Sequence, residues 1–226
     1  MKRILSLVFI LMGIALIAIP YLNDHLIKRN VSKSVELVEE ITYEEMVENE
    51  SIEAVFDYSS VRDVSITTVL NNINEINNKP IIAEISIDDL GIDLPILKGV
   101  SDANLLLGAA TMVPNQELGK GNYSLAGHYL RSKKTLFGPL LDIETGTIVK
   151  ISNKRLVYEY EIYDTKIVEE TAMYMLDDER AEERGKPIIS LMTCYFTSKN
   201  GKRFFALGEL VDVYPYDREM IKFDQQ

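Results

Sequence analysis

Pro187-Ile188-Ile189-Ser190-Leu191-Met192-Thr193-Cys194 is a short apolar run, rich in β-branched residues and opened by a proline. Such a run predicts a buried strand. It ends on the only cysteine of the chain, where the polar loop Thr197-Ser198-Lys199-Asn200-Gly201 begins. Reactive groups concentrate where loops leave a rigid scaffold. Cys194 is therefore either a nucleophile or an inert small hydrophobe. Two distant residues could complete a site with it: His128, closing Leu125-Ala126-Gly127-His128, and Arg203, in Gly201-Lys202-Arg203-Phe204-Phe205.

The neighbouring segments have the same β texture. Residues 81–87 and 92–97 are strand candidates joined by Asp88-Asp89-Leu90-Gly91, and residues 123–127 form a strand leading to His128. Residues 147–151 and 156–162 predict a hairpin across Asn153-Lys154, residues 165–169 a further strand, and residues 203–213 the last one. Residues 103–112 predict a short helix, and 177–186 a loop or a surface turn of helix. Seven or eight short strands with few helices imply a barrel or sandwich.

The chain opens differently. Ile4 to Leu22 carry no charge and are broken only by Gly13 and Pro20. A span needs about 20 apolar residues, so residues 1–23 predict an uncleaved transmembrane signal-anchor. Lys2 and Arg3 favour a cytoplasmic start, with the bulk of the protein outside. His25 borders this span and is a poor site candidate. Residues 24–79 form an acidic, partly helical linker, with ten acidic residues between Val31 and Asp63 against Lys33 and Arg62. Val31, Val35, Val38, Ile41 and Met46 are spaced roughly as on a helix. A second helical pattern runs through Val69, Leu70, Ile73 and Ile76 until Asn77-Asn78-Lys79-Pro80 stops it. The linker is either a solvated stalk or an appendage whose apolar stripes dock on the domain and modulate its site. Residues 80–226 form the β-rich domain.

Composition excludes several functions. A net charge of −11 argues against nucleic acid. One cysteine excludes an internal disulfide, and two histidines make no zinc constellation. No metal or other cofactor is expected. A thiol becomes a nucleophile when a neighbour takes its proton or stabilises the thiolate. Histidine does both, and an arginine can hold charge developing on a carbonyl oxygen.

Leu125-Ala126-Gly127-His128, Ser190-Leu191-Met192-Thr193-Cys194 and Lys202-Arg203-Phe204 resemble, in this order, the three signature segments of sortases, the membrane-anchored cysteine transpeptidases of Gram-positive bacteria. Residues 103–112 and Gly119-Lys120-Gly121-Asn122-Tyr123-Ser124 look like the corresponding parts of class A enzymes. The resemblance covers about residues 80–214, together with the anchor.

It implies a mainly β fold, a closed eight-stranded barrel with short helices, preceded by the transmembrane helix and the helical linker. It also implies cleavage of a Leu-Pro-x-Thr-Gly (LPXTG) sorting signal between Thr and Gly. The partners would be secreted proteins carrying that signal at their C-terminus, the membrane, and an amine on a cell-wall precursor of the lipid II type. Cys194 would be the nucleophile, His128 the proton carrier and Arg203 the oxyanion holder. Thr193 would help position substrate or support the oxyanion, and Ala126, Leu191 and Met192 would line the groove or simply pack the barrel. If thiol and imidazole titrated independently at pH 7, the active thiolate–imidazolium pair would exist in under about 1% of molecules. Slow turnover is expected unless the site couples them.

Three features depart from the family pattern. Ser190 and Met192 stand where Thr and Ile are common. Val113, Gln116 and Lys120 stand where calcium-binding members carry carboxylates, so activity without calcium is expected. No second span follows Arg203 and no lid motif is evident, which argues against the pilus-polymerising class, although Phe56-Asp57-Tyr58 is a match to be weighed against this. The alternatives are a pilin-linking sortase, a surface cysteine protease using water, and a membrane-tethered wall-binding β-domain with an inert Cys194.

Overall fold

The first two strands pair because each is a β-branched apolar run with a turn between them. The structure, a computed structural model, describes residues 2–64, 67–69, 80–130 and 135–217. Strands β1 (Ile81–Ile87) and β2 (Ile92–Leu97) pair antiparallel, and the turn closes on Gly91, whose φ of +59° suits glycine. Then follow β3 (Ala109–Thr111), β4 (Asn122–Ala126), β5 (Ile148–Ser152), β6 (Leu156–Glu169), β7 (Ile188–Cys194) and β8 (Lys202–Pro215). They close into a barrel in the order β1-β2-β3-β4-β7-β8-β6-β5. The fold is mainly β and eight-stranded, as expected.

Two expectations, one of a helix and one of strands, are corrected. The helix predicted over 103–112 shrinks to one turn, Asp102–Leu105, and the chain then enters β3. Leucine and alanine favour a helix locally. At Gly108, however, a Cβ would stand 2.2 Å from the Pro95 carbonyl oxygen, so the chain passes too close to β2 for a side chain. There Ala109 and Ala110 pair with Ile96 and Leu97, and tertiary pairing overrides local propensity. The strands predicted over 156–162 and 165–169 are one continuous strand, β6, carrying a register shift between Ile162 and Asp164.

The N-terminal helices pack onto this barrel. Helix α1 (Lys2–Glu40) turns Ile27, Val31, Ser34 and Val38 inward at helical spacing, and all four are buried. The Ser34 hydroxyl donates to the Leu107 carbonyl, 2.7 Å away. The Lys154 ammonium, at the β5–β6 turn, donates to the carbonyls of Val38, Glu39 and Ile41, capping the C-terminal end of α1. Helix α2 (Tyr43–Ser51) begins with a Thr42–Glu45 capping box and buries Met46. Residues 31–51 are thus docked on the barrel and do not form a solvated stalk.

Among the described residues no helix is long and apolar enough to cross a membrane. The second helical pattern, through Leu70, Ile73 and Ile76, lies outside the described residues; Val69, at its start, is buried in the main core.

Candidate active site

Strand register brings the three sequence candidates to one end of the barrel. Strands β4 and β7 run parallel, pairing Ala126 with Met192. The ladder continues one residue further, where the Gly127 N–H donates to the Met192 carbonyl at 3.0 Å. Next comes His128, level with the end of β7. Strands β7 and β8 run antiparallel, and Cys194 stands opposite Arg203. The Thr193 hydroxyl donates to the Gly127 carbonyl at 2.8 Å and ties the cysteine strand to the histidine strand.

The predicted groove residues divide between the two faces of β7. Met192 and Ala126 pack in one cluster with Cys194, Val61 and Phe205. Leu191 is in the other cluster, among the barrel-interior residues Ile85, Leu125 and Ile189, so the structure does not bring it to the site. Alternation along a strand is the reason: Leu191 points away from the face that Met192 and Cys194 share.

A segment outside the barrel, residues 57–63, lies across this end. The Asp57 N–H donates to the Val100 carbonyl at 2.9 Å, and the Tyr58 hydroxyl to the Met112 carbonyl at 2.7 Å. Arg62 pairs with Asp102 at 2.8 Å. The Asp63 carboxylate accepts from the Thr197 hydroxyl at 2.7 Å and the Ser198 N–H at 2.8 Å, and its own N–H donates to the Ser198 hydroxyl. Between these ties Val61 is buried against the cysteine. Its carbonyl oxygen accepts from Arg203 Nη2 at 3.0 Å and from Cys194 Sγ at 3.7 Å. Sequence reasoning missed Val61 and Asp63, which lie in a stretch without apolar periodicity.

The covering segment keeps water out, and the electrostatics follow. Cys194, His128 and Arg203 are all buried. Burial pushes the Cys194 thiol up to about 11, with the Arg203 guanidinium opposing and Asp63 and Glu170 adding to the rise. Burial holds the His128 ring down at about 4, against the pull of the Asp102 carboxylate. The Arg62 carbonyl also favours the charged ring, yet neither ring nitrogen makes a well-directed hydrogen bond among the described residues. Thiol and imidazole are both neutral at pH 7 in this arrangement.

Among the described residues no group of three His, Cys, Asp or Glu side chains could hold a metal ion. At the positions where calcium-binding members carry carboxylates, Gln116 Oε1 accepts from the N–H groups of Val113 and Ser124. The Asp178 carboxylate accepts from the Asn122 N–H at 2.7 Å.

The family profile described as "Sortase domain" matches residues 85–211. Sortase A of Listeria monocytogenes is 30% identical over 220 residues, covering 97% of this chain and 96% of that protein. Sortase A of Bacillus anthracis is 33% identical over 213 residues, covering 93% and 96%. The crystal structure of the Listeria enzyme superposes with a TM-score of 0.57 at 34% identity, covering 62% of this chain and 93% of that one. Sortase C-3 of Streptococcus pneumoniae shares the fold, with a TM-score of 0.60 at 22% identity over 82% of this chain and 92% of that one. With the barrel, the full-length relatives and the domain match in agreement, this chain belongs to the sortase family of transpeptidases.

Proposed function

We propose that this sortase cleaves an LPXTG-type sorting signal between Thr and Gly and transfers the acyl part to an amine of a lipid II-type cell-wall precursor. With residues 57–63 lifted, His128 takes the Cys194 thiol proton, Cys194 Sγ attacks the Thr carbonyl carbon, and Arg203 holds the oxygen as it gains charge. His128 gives a proton to the leaving Gly nitrogen as the C–N bond breaks. The incoming amine then attacks the thioester, His128 takes its proton, and the C–S bond breaks. Thr193 braces the end of the cysteine strand against the histidine strand, and Ala126 and Met192 line the groove.

One observation carries this reading. A peptide carbonyl, that of Val61, already sits between Arg203 Nη2 and Cys194 Sγ. The proposed chemistry needs a substrate carbonyl in that position. Residues 57–63 therefore leave the groove before a sorting signal enters.

The first half of α1 supports an anchor in the membrane with the barrel outside the cell. Ile4, Leu7, Phe9, Leu11, Leu16 and Ile17 are each more than half exposed along one helix, an apolar surface that calls for cover.

Mass spectrometry of the purified protein with a sorting peptide tests the reaction. The expected result is an acyl adduct on Cys194 that a short amine discharges to a transfer product, and Cys194→Ala abolishes both with an unchanged fold. Discharge to free acid alone, with amine present, would make the protein a thiol protease. Product formation by the Cys194→Ala variant would remove the nucleophile from the mechanism.

A further inference from the structure

The side chain behind Arg203 has no role in the mechanism above. Strand β6 ends at Glu169, opposite Lys202 at the start of β8. One residue on, the Glu170 N–H donates to the Gly201 carbonyl at 2.7 Å, extending the ladder. The register of two strands therefore fixes Glu170 beside Arg203. Its Oε2 accepts from Arg203 Nη2 at 2.9 Å. The same nitrogen donates to the Val61 carbonyl at 3.0 Å, while Nη1 donates to the Lys202 carbonyl at 3.2 Å.

Both hydrogens of Nη2 lie in the rigid guanidinium plane at a fixed angle. A carboxylate holding one of them sets the direction of the other. The other hydrogen points to the carbonyl in the groove. We propose that Glu170 is a positioning residue for acyl transfer, aiming the Arg203 donor at the substrate carbonyl.

Stability does not account for the pair. The Glu170 side chain is 50% exposed against 10% for Arg203, and half-exposed ion pairs contribute little to folding. Orientation is a different matter, because a donor aimed at a developing oxyanion acts only when it is aligned. Without the carboxylate, Arg203 is free to turn toward the Lys202 carbonyl it already touches.

Glu170 also leaves an electrostatic trace. The charged groups acting on the Cys194 sulfur are Arg203, which favours the thiolate, and Asp63 and Glu170, which oppose it. Removing the charge at Glu170 should favour the thiolate while misaiming Arg203. The thiol ionises more readily and yet transfers acyl groups more slowly, a combination that loss of packing alone does not give.

The proposal rests on the role given to Arg203 above. The test compares the full chain with Glu170→Ala and Glu170→Gln, by transfer kinetics and by the pH midpoint of Cys194 alkylation with iodoacetamide. Both variants should lower the midpoint. Glu170→Ala should lose about tenfold in kcat, less than deletion of an oxyanion donor costs, with KM little changed. Glu170→Gln, whose amide oxygen still accepts from Nη2, should keep most of kcat. An unchanged midpoint and kcat in Glu170→Ala would overturn the proposal, as would equal kcat losses in both variants. If the wild type forms no acyl product, the functional reading fails, and the midpoint alone then decides whether Glu170 acts on the Cys194–Arg203 pair.

Discussion

Cys194 and Arg203 face each other across the β7–β8 ladder, and both reach one carbonyl oxygen, that of Val61, at 3.7 and 3.0 Å. The cysteine is therefore met by the chain's own backbone before any peptide reaches it. On the proposed mechanism the rate at which residues 57–63 lift away is part of turnover, and changes in that segment should alter activity without touching a reacting group.

Tyr58→Phe removes the hydroxyl that donates to the Met112 carbonyl. One neutral hydrogen bond is worth about 1 kcal/mol, so acylation of Cys194 by a sorting peptide should speed up by about fivefold. Asp63→Ala removes two bonds accepted by a carboxylate and should speed it up by at least about tenfold. Rates equal to wild type in both variants would show that the covering segment does not limit access.

The cover should hold best from near neutral to mildly alkaline pH. Lifting it admits water, and both buried groups then return toward 6.5 for His128 and 9.0 for Cys194. The closed form keeps His128 neutral down to about 4, so its advantage is complete above 6.5 and is lost as pH falls toward 4. The loss is up to about 1.4 kcal/mol per pH unit. The closed form also keeps Cys194 protonated up to about 11, so that contribution is complete below 9.0 and fades as pH rises toward 11. Burial raises the Asp63 carboxyl, but hydrogen bonds from Thr197 and Ser198 outweigh it and hold it low. Its share is lost only as pH falls below the ordinary carboxylate range. Hydrogen exchange of residues 57–63, corrected for intrinsic rates, should show protection falling on both sides of a plateau; a flat profile would contradict this account.

Gly127→Ala should destabilise the barrel and slow transfer together. A Cβ at Gly127 would stand 2.4 Å from the Phe137 ring. Forcing such a contact costs about 1–3 kcal/mol, and the adjoining His128 would move with the backbone. A lower Tm together with reduced transfer is expected; a rise in either would show that the ring yields freely.

Calcium should leave the rate unchanged. Gln116 Oε1 and Asp178 Oδ1 already accept from backbone N–H groups, and Lys120 is paired with Glu117. The ion needs about six oxygens. Transfer assayed with calcium and with a chelator should agree within about twofold, and marked stimulation would require ligands that this arrangement does not offer.

Much of the barrel is legible because its strands are long β-branched runs set apart by Gly, Asn and Asp turns. Strand β3 is not, because two alanines and a preceding leucine run carry no β signal until β2 and β4 flank them. Cys194, His128 and Arg203 are legible from their motifs. Their convergence is not, since it depends on a parallel β4–β7 pairing between segments far apart in sequence. Of the two readings open for Leu191, barrel packing is the one its cluster fits, because a motif spells consecutive letters whereas a strand sends alternate side chains to opposite faces. The contacts of Val61, Asp63 and Glu170 carry no local signature, since each belongs to an irregular segment whose meaning comes only from what lies opposite it.

Helix α1 passes without a break from exposed apolar residues ending at Leu22 to barrel-facing residues beginning at Ile27. At about 1.5 Å per residue this leaves only about 8 Å between the two regions. With its first half held in a bilayer, as proposed, the catalytic domain would be mounted like an instrument on a fixed bracket. Height and heading would be preset, and a sorting signal would have to present its scissile bond at a matching altitude. Clients would then be selected by how far from the membrane their signal can be held.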